Sequence, residues 1–227
     1  MIIAIEGVDG AGKATQAKML LNNLLKKGVN ARMVSFPRYN APATFFTKKY
    51  LNGDYGDCSG KTASVLFAVD RFDYFAGNKE IEAFLKNGGV LITDRYTTSN
   101  FEHQAAFVPD EKKQEVISWI KDLEYGTLRI PVPDMVVFLN VEPSVTKANR
   151  SARNIQNNGL KNGMKNDVLE KDDAVQKAYA NAQLVAESEG WIKINCTRDG
   201  YMMRPEDINQ QITEMVFNEI NKKHEGE

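Results

Sequence analysis

Cysteine and histidine are scarce in this chain of 227 residues: Cys58 and Cys196, His103 and His224 are all it holds. There is no CxxC spacing and too little histidine to complete a zinc site, so neither a disulfide scaffold nor a structural metal organises the fold, and a reducing cytoplasm is the expected compartment. Long apolar runs are also missing. Nothing approaches the roughly 20 residues of a membrane span, so no membrane partner is expected. The apolar start ends at Glu6 without a basic leader, so no signal peptide is expected either. Charge of either sign is not in excess, with 29 Lys and Arg against 30 Asp and Glu. No whole-molecule field then draws the chain to nucleic acid, and any anion site must be local.

What is present is ordinary for a globular α/β protein: 42% hydrophobic residues in a length that suits one domain, taken as 1–227. The strand candidates are MIIAIE (1–6), ARMVSF (31–36), GVLITD (89–94), MVVFLNV (135–141) and WIKINC (191–196). Their near-continuous apolar character predicts a parallel five-stranded sheet covered by helices on both faces, a three-layer arrangement. Ala17, Leu20, Leu21 and Leu24 repeat with helical period, and Gly28 supplies a stop. Pro205 opens a last helix whose apolar face is predicted at Ile208, Ile212, Met215 and Ile220, with the terminal KKHEGE fraying. The stretch SARNIQNNGLKNGMKND (151–167) carries five asparagines and two glycines without apolar periodicity, and is predicted to form neither helix nor strand. By composition it is a solvated loop, and by its place after Lys147, Arg150 and Arg153 equally a lid over phosphates, at about 150–167.

The first strand runs into GVDGAGKAT, which satisfies G-x-x-x-x-G-K through Gly7, Gly12 and Lys13. Glycines let backbone N–H groups converge on phosphate oxygens, the following helix adds its positive end, and a lysine bridges the outer phosphates. The expected phosphate-binding site, the ATP site if the nucleotide is ATP, is Gly7, Val8, Asp9, Gly10, Ala11, Gly12, Lys13, Ala14 and Thr15. Ala14 stands where Ser or Thr would hold magnesium. Magnesium binds through one or two carboxylates plus substrate oxygens, so Asp9 and Asp94 are the metal candidates. Thr15 falls one position too late for that role. A guanine-reading N-K-x-D is absent: the nearest match, NKEI at 78–81, has Ile81 where Asp is required.

SFPRYN after the second strand, LFAVDRFDYF on a predicted helix and TDRYTTSNFEHQ after the third strand all reach the crevice end of such a sheet. Together with EGVDGAGK and PVPDMVVFLNV they resemble the thymidylate kinases, which phosphorylate dTMP with ATP and magnesium on the way to dTTP and are homodimers. The resemblance implies that Phe67 stacks on thymine, with Arg71, four residues on and on the same helical face, at the base edge. It assigns Phe36 to the nucleotide wall, Arg38 and Arg95 to the acceptor phosphate, and Ser99, Asn100 and Gln104 to sugar and base. Asp9 would face the sugar hydroxyl and the metal region. Asp9, Lys13, Arg38 and Arg95 then form the expected catalytic set.

Departures accompany the likeness. Ala14 lacks the hydroxyl, His103 stands where an aromatic such as Tyr is common, and Asn140 where Asp is. Residues Val8 to Ala11 include no arginine, so Arg150 and Arg153 of the lid are the implied transition-state arginines. His103 and Cys58 are read as structural. A kinase for another nucleoside monophosphate, or a nucleotide-binding paralogue with weak or no catalysis, stays open on these residues.

Overall fold

The computed structural model describes residues 1–156, 168–169 and 171–225, with side chains for 1–149, 168–169 and 171–223. Strand β1 (Ile2–Glu6) leads through the glycine loop into α1 (Lys13–Lys26) and back to β2 (Ala31–Ser35). Helices α2 (Phe45–Leu51), α3 (Gly60–Phe75) and α4 (Lys79–Lys86) precede β3 (Val90–Asp94). After β3 come α5 (Thr98–Gln104), α6 (Asp110–Lys121) and a π-helical turn, Asp122–Thr127, before β4 (Met135–Asn140). Helices α7 (Pro143–Gln156) and α8 (Asp172–Ser188), β5 (Ile192–Asn195) and α9 (Pro205–Glu225) complete the main layers.

The predicted parallel sheet forms, in the order β2-β3-β1-β4-β5. Each strand lies within two residues of its predicted bounds, because a short β-branched run bounded by turn residues has few other ways to bury itself. Side chains alternate along β1: Ile3 and Ile5 join Ala17, Leu20 and Leu24 of α1 and Ile212 of α9 on one face. Ile2 and Ala4 face Ile81 and Phe84 of α4 on the other. Because β1 lies between β3 and β4, with Ile5 beside Asp94 and Glu6 beside Phe138, the loops leaving these strands open at one level, at a switch point of strand order.

One element adds to the expected ones, and three expectations are corrected. A two-stranded antiparallel hairpin, Thr197–Arg198 with Tyr201–Met202, adds to the parallel sheet; its strands are too short to show a period. Met215 is 42% exposed, and Val216 takes its place beside Ile208, Ile212 and Ile220, so the i+4 row rather than the i+3 branch lies over the core. KKHEGE does not fray at its start: α9 runs to Glu225, helped by Lys223, whose ammonium pairs with Asp134. Of the segment 151–167, SARNIQ is the end of α7, since it contains no glycine or proline to stop a helix begun at Pro143. The remainder, 157–167, lies outside the described residues. Arg150 and Arg153 belong to α7 by backbone, and their side chains lie outside the described ones. No helix among the described residues is long and apolar enough to cross a membrane.

Candidate active site

The loop after β1 is held by steric necessity. Gly7 has φ of +140°, and a Cβ there would meet the Leu139 carbonyl oxygen at 2.9 Å. Gly12, at φ +93°, turns the chain into α1, whose first N–H groups face the loop. Lys13 folds over this loop and donates from Nζ to the carbonyls of Gly7 at 2.7 Å and Val8 at 3.0 Å. Burial pushes its amine down to about 8, with Arg95 adding repulsion against the attraction of Asp9 and Asp94. Val8 and Ala11 are core residues that anchor the loop.

Two clefts meet above it. The first is walled by Phe67, Arg71, Asn100, His103, Gln104 and Leu169. The second lies over Gly10, Gly12, Lys13, Ala14 and Thr15, with Ser35, Asp94 and Asn149 at its sides. They share Asp9, Phe36, Pro37, Tyr39 and Arg95. Phe36 is packed at an edge against Tyr74 and tilted against Tyr96, which fixes it as wall. Phe67 is half-buried and edge-on to Tyr50.

Arg95 bridges the two clefts. Its Nη2 donates to Asp9 Oδ1 at 2.9 Å, and its Nη1 lies 2.9 Å from His103 Nε2. Burial works against its charge, but Asp9 first among the surrounding carboxylates outweighs that and holds it more firmly protonated than a free arginine. Arg71 reaches the floor of the first cleft and is paired with Glu124 through two bonds of 2.6 Å, Nε to Oε2 and Nη2 to Oε1. Asn100 Nδ2 donates to the same Glu124 oxygen at 2.7 Å. Thus one carboxylate on the π-helical turn, a geometry that recurs at functional sites, orients two of the expected base-reading residues.

Not every expected residue arrives as predicted. Arg38 lines neither cleft. Its Nε pairs with Asp70 at 2.9 Å and its Nη2 with Asp73 at 2.6 Å, while Asp70 also accepts its backbone N–H, so the carboxylates of α3 hold it aside. Ser99 borders the cleft, but its hydroxyl donates to Glu6 Oε2 at 2.6 Å. His103, expected to be structural, stands in the wall on Arg95. Glu6, Glu102, Glu124 and Asn149, absent from the expected set, support the site. Glu6 is fully buried and accepts from Tyr96 N–H and the Thr98 and Ser99 hydroxyls, which pins the turn carrying Arg95. A carboxylate closing the apolar strand IIAIE was a readable signal for it. Asn149 reaches from α7 to the Gly10 carbonyl at 3.0 Å.

Among the described residues no group of three or more His, Cys, Asp or Glu is gathered that could hold a metal alone. That does not disfavour magnesium, which needs only one or two carboxylates when phosphates supply the other oxygens. Asp94 fits: it ends β3 beside the loop and lines the second cleft with Ala14 and the Ser35 hydroxyl. Asp9 fits less well, since Arg95 occupies its Oδ1.

The thymidylate kinase family model matches residues 5–208. The thymidylate kinase of Mycobacterium tuberculosis is 31% identical over 195 residues, covering 84% of this chain and 87% of the relative. That of Plasmodium falciparum is 27% identical, over 94% and 88%. A probable thymidylate kinase of Thermococcus gammatolerans is 30% identical over 97% of each chain.

Proposed function

We propose that this chain, which belongs to the thymidylate kinase family, phosphorylates dTMP to dTDP with ATP as the donor and so supplies the path to dTTP. The observation that carries this reading is the junction of the two clefts at Asp9 and Arg95. An aromatic-walled pocket with Phe67 and Arg71 takes the base and sugar. A glycine loop takes the triphosphate, and the guanidinium between them takes the acceptor phosphate. The acceptor oxygen is already an anion, so no strong base is needed, and the protein's work is alignment and charge neutralisation for an in-line transfer.

Lys13 would exchange the Gly7 and Val8 carbonyls for the outer phosphates of ATP. Asp94 would hold magnesium, which would supply neutralisation of the phosphate charge. Asn149 ties α7, the helix that carries Arg150 and Arg153 in its backbone, to the glycine loop. Arg38 would join only on leaving Asp70 and Asp73. The whole chain works as one domain. Val65, Val69 and Phe72 form an exposed apolar stripe along α3, at spacing i, i+4 and i+7, which suits a homodimer interface. Both cysteines are free thiols, in keeping with the cytoplasm.

ADP release is the test, measured with ATP and, separately, dTMP, dUMP, dCMP, dGMP, AMP and UMP, with and without magnesium. Magnesium-dependent turnover favouring dTMP is expected. Equal use of AMP or UMP, or tight binding without turnover, would overturn the assignment.

A further inference from the structure

Arg95 leaves β3 with φ of +66°, a conformation a long side chain seldom adopts, and its guanidinium is then gripped at both ends. Asp9 takes Nη2 and His103 faces Nη1, each at 2.9 Å. Arginine has donors only, so a ring nitrogen at this distance must accept, which puts the imidazole proton on Nδ1. We propose that His103 is a positioning residue for the acceptor phosphate: as a neutral imidazole it accepts from Arg95 and, with Asp9 opposite, fixes the plane of the guanidinium before the nucleotide arrives. The inference rests on the reading of dTMP as acceptor at Arg95.

One contact would not suffice. Asp9 alone leaves the guanidinium free to swing about the Nη2 to Oδ1 bond; a second contact at Nη1 defines its plane. Three of the five N–H groups remain for phosphate oxygens, enough for a forked interaction. Holding them in place beforehand removes rotamer freedom that binding would otherwise have to restrict. The surroundings also favour the neutral ring. Glu102 Oε1 lies 3.5 Å from the same Nε2, but that side chain is fully buried and neither of its oxygens has a hydrogen-bond partner among the described residues. Burial and the neighbouring Glu6 push its carboxyl up to about 8. A carboxyl raised in this way draws a proton onto the imidazole less strongly than an ordinary glutamate would.

The experiment compares His103→Leu, His103→Asn and His103→Gln in steady-state turnover with ATP and dTMP, alongside thermal melts, and repeats His103→Leu in an Arg95→Ala background. Glutamine places its carbonyl oxygen about where Nε2 stood; asparagine is too short. His103→Leu and His103→Asn should raise KM for dTMP about tenfold, the size of one charge-assisted hydrogen bond, with KM for ATP and melting temperature held. His103→Gln should stay within about threefold of the parent, and the leucine penalty should vanish once Arg95 is alanine. Equal losses in all three variants, a rise in KM for ATP instead, or a penalty that persists without Arg95 would overturn the role. A parent inactive on dTMP would overturn the functional reading and this inference with it, and the parent assay alone separates that failure from the others.

Discussion

Glu124→Ala isolates the support beneath the first cleft, the proposed base pocket. Glu124 and Arg71 are both buried and joined by two bonds of 2.6 Å, and Asn100 adds a third at 2.7 Å to the same carboxylate. Truncation leaves a buried guanidinium without its anion, which costs about 3–5 kcal/mol, and an orphaned amide donor adds ~1 kcal/mol. Against a total stability of roughly 5–15 kcal/mol for a domain, the variant should fold but melt early. Urea unfolding followed by far-ultraviolet circular dichroism measures the loss. Steady-state kinetics should show KM for dTMP rising at least about tenfold, because Arg71 and Asn100 lose their orientation, with KM for ATP held. The double replacement Arg71→Met with Glu124→Leu separates the two effects. An apolar pair of similar volume should recover most of the stability, since a buried ion pair contributes little over its hydrophobic replacement, while dTMP binding stays lost. A loss below about 1 kcal/mol in Glu124→Ala with KM unchanged would refute the claim that this carboxylate orients the pocket.

Lys13→Ala should lower turnover by at least about a hundredfold while leaving the fold intact, and near-normal ADP release would remove the glycine loop from the mechanism. Burial, with the nearby Glu6, pushes the Glu102 carboxyl up from an ordinary 4.5 to about 8. Its contribution to stability is therefore complete below about pH 4.5 and lost as pH rises to 8. Glu102→Gln should gain on the parent through that window by up to about 1.4 kcal/mol per pH unit, and a difference flat from pH 5 to pH 9 would contradict the burial argument. Ala14→Ser, on the lip of the second cleft, should lower the magnesium needed for half-maximal turnover by less than about tenfold, because one hydroxyl replaces one water. A parent that turns over in EDTA would contradict the metal role of Asp94.

The layout of the sheet and the glycine loop were legible because local constraint decides them. A run such as VLITD has few other ways to hide itself, and Gly7 is written into the sequence by the carbonyl it must pass. Phe67 and Arg71 were legible as a pair because four residues on a helix share a face, and both reach one cleft. What holds Arg71 was not. A fully buried guanidinium demands an anion, but the chain offers 30 acidic residues, and the two nearest in sequence, Asp70 and Asp73, belong to Arg38 instead. Glu124 lies 53 residues away in KDLEYGT, which reads as an exposed polar turn. It becomes the partner only because the chain past α6 widens into a π-helical turn that puts one carboxylate under α3. His103 was obscured for a related reason. A lone histidine on a helix is most often a packing residue, and only the left-handed turn at Arg95 brings a guanidinium against it. Motif and spacing therefore picked out residues that line the clefts, whereas those that hold them in place meet across the fold and were selected by backbone irregularities that no periodicity encodes.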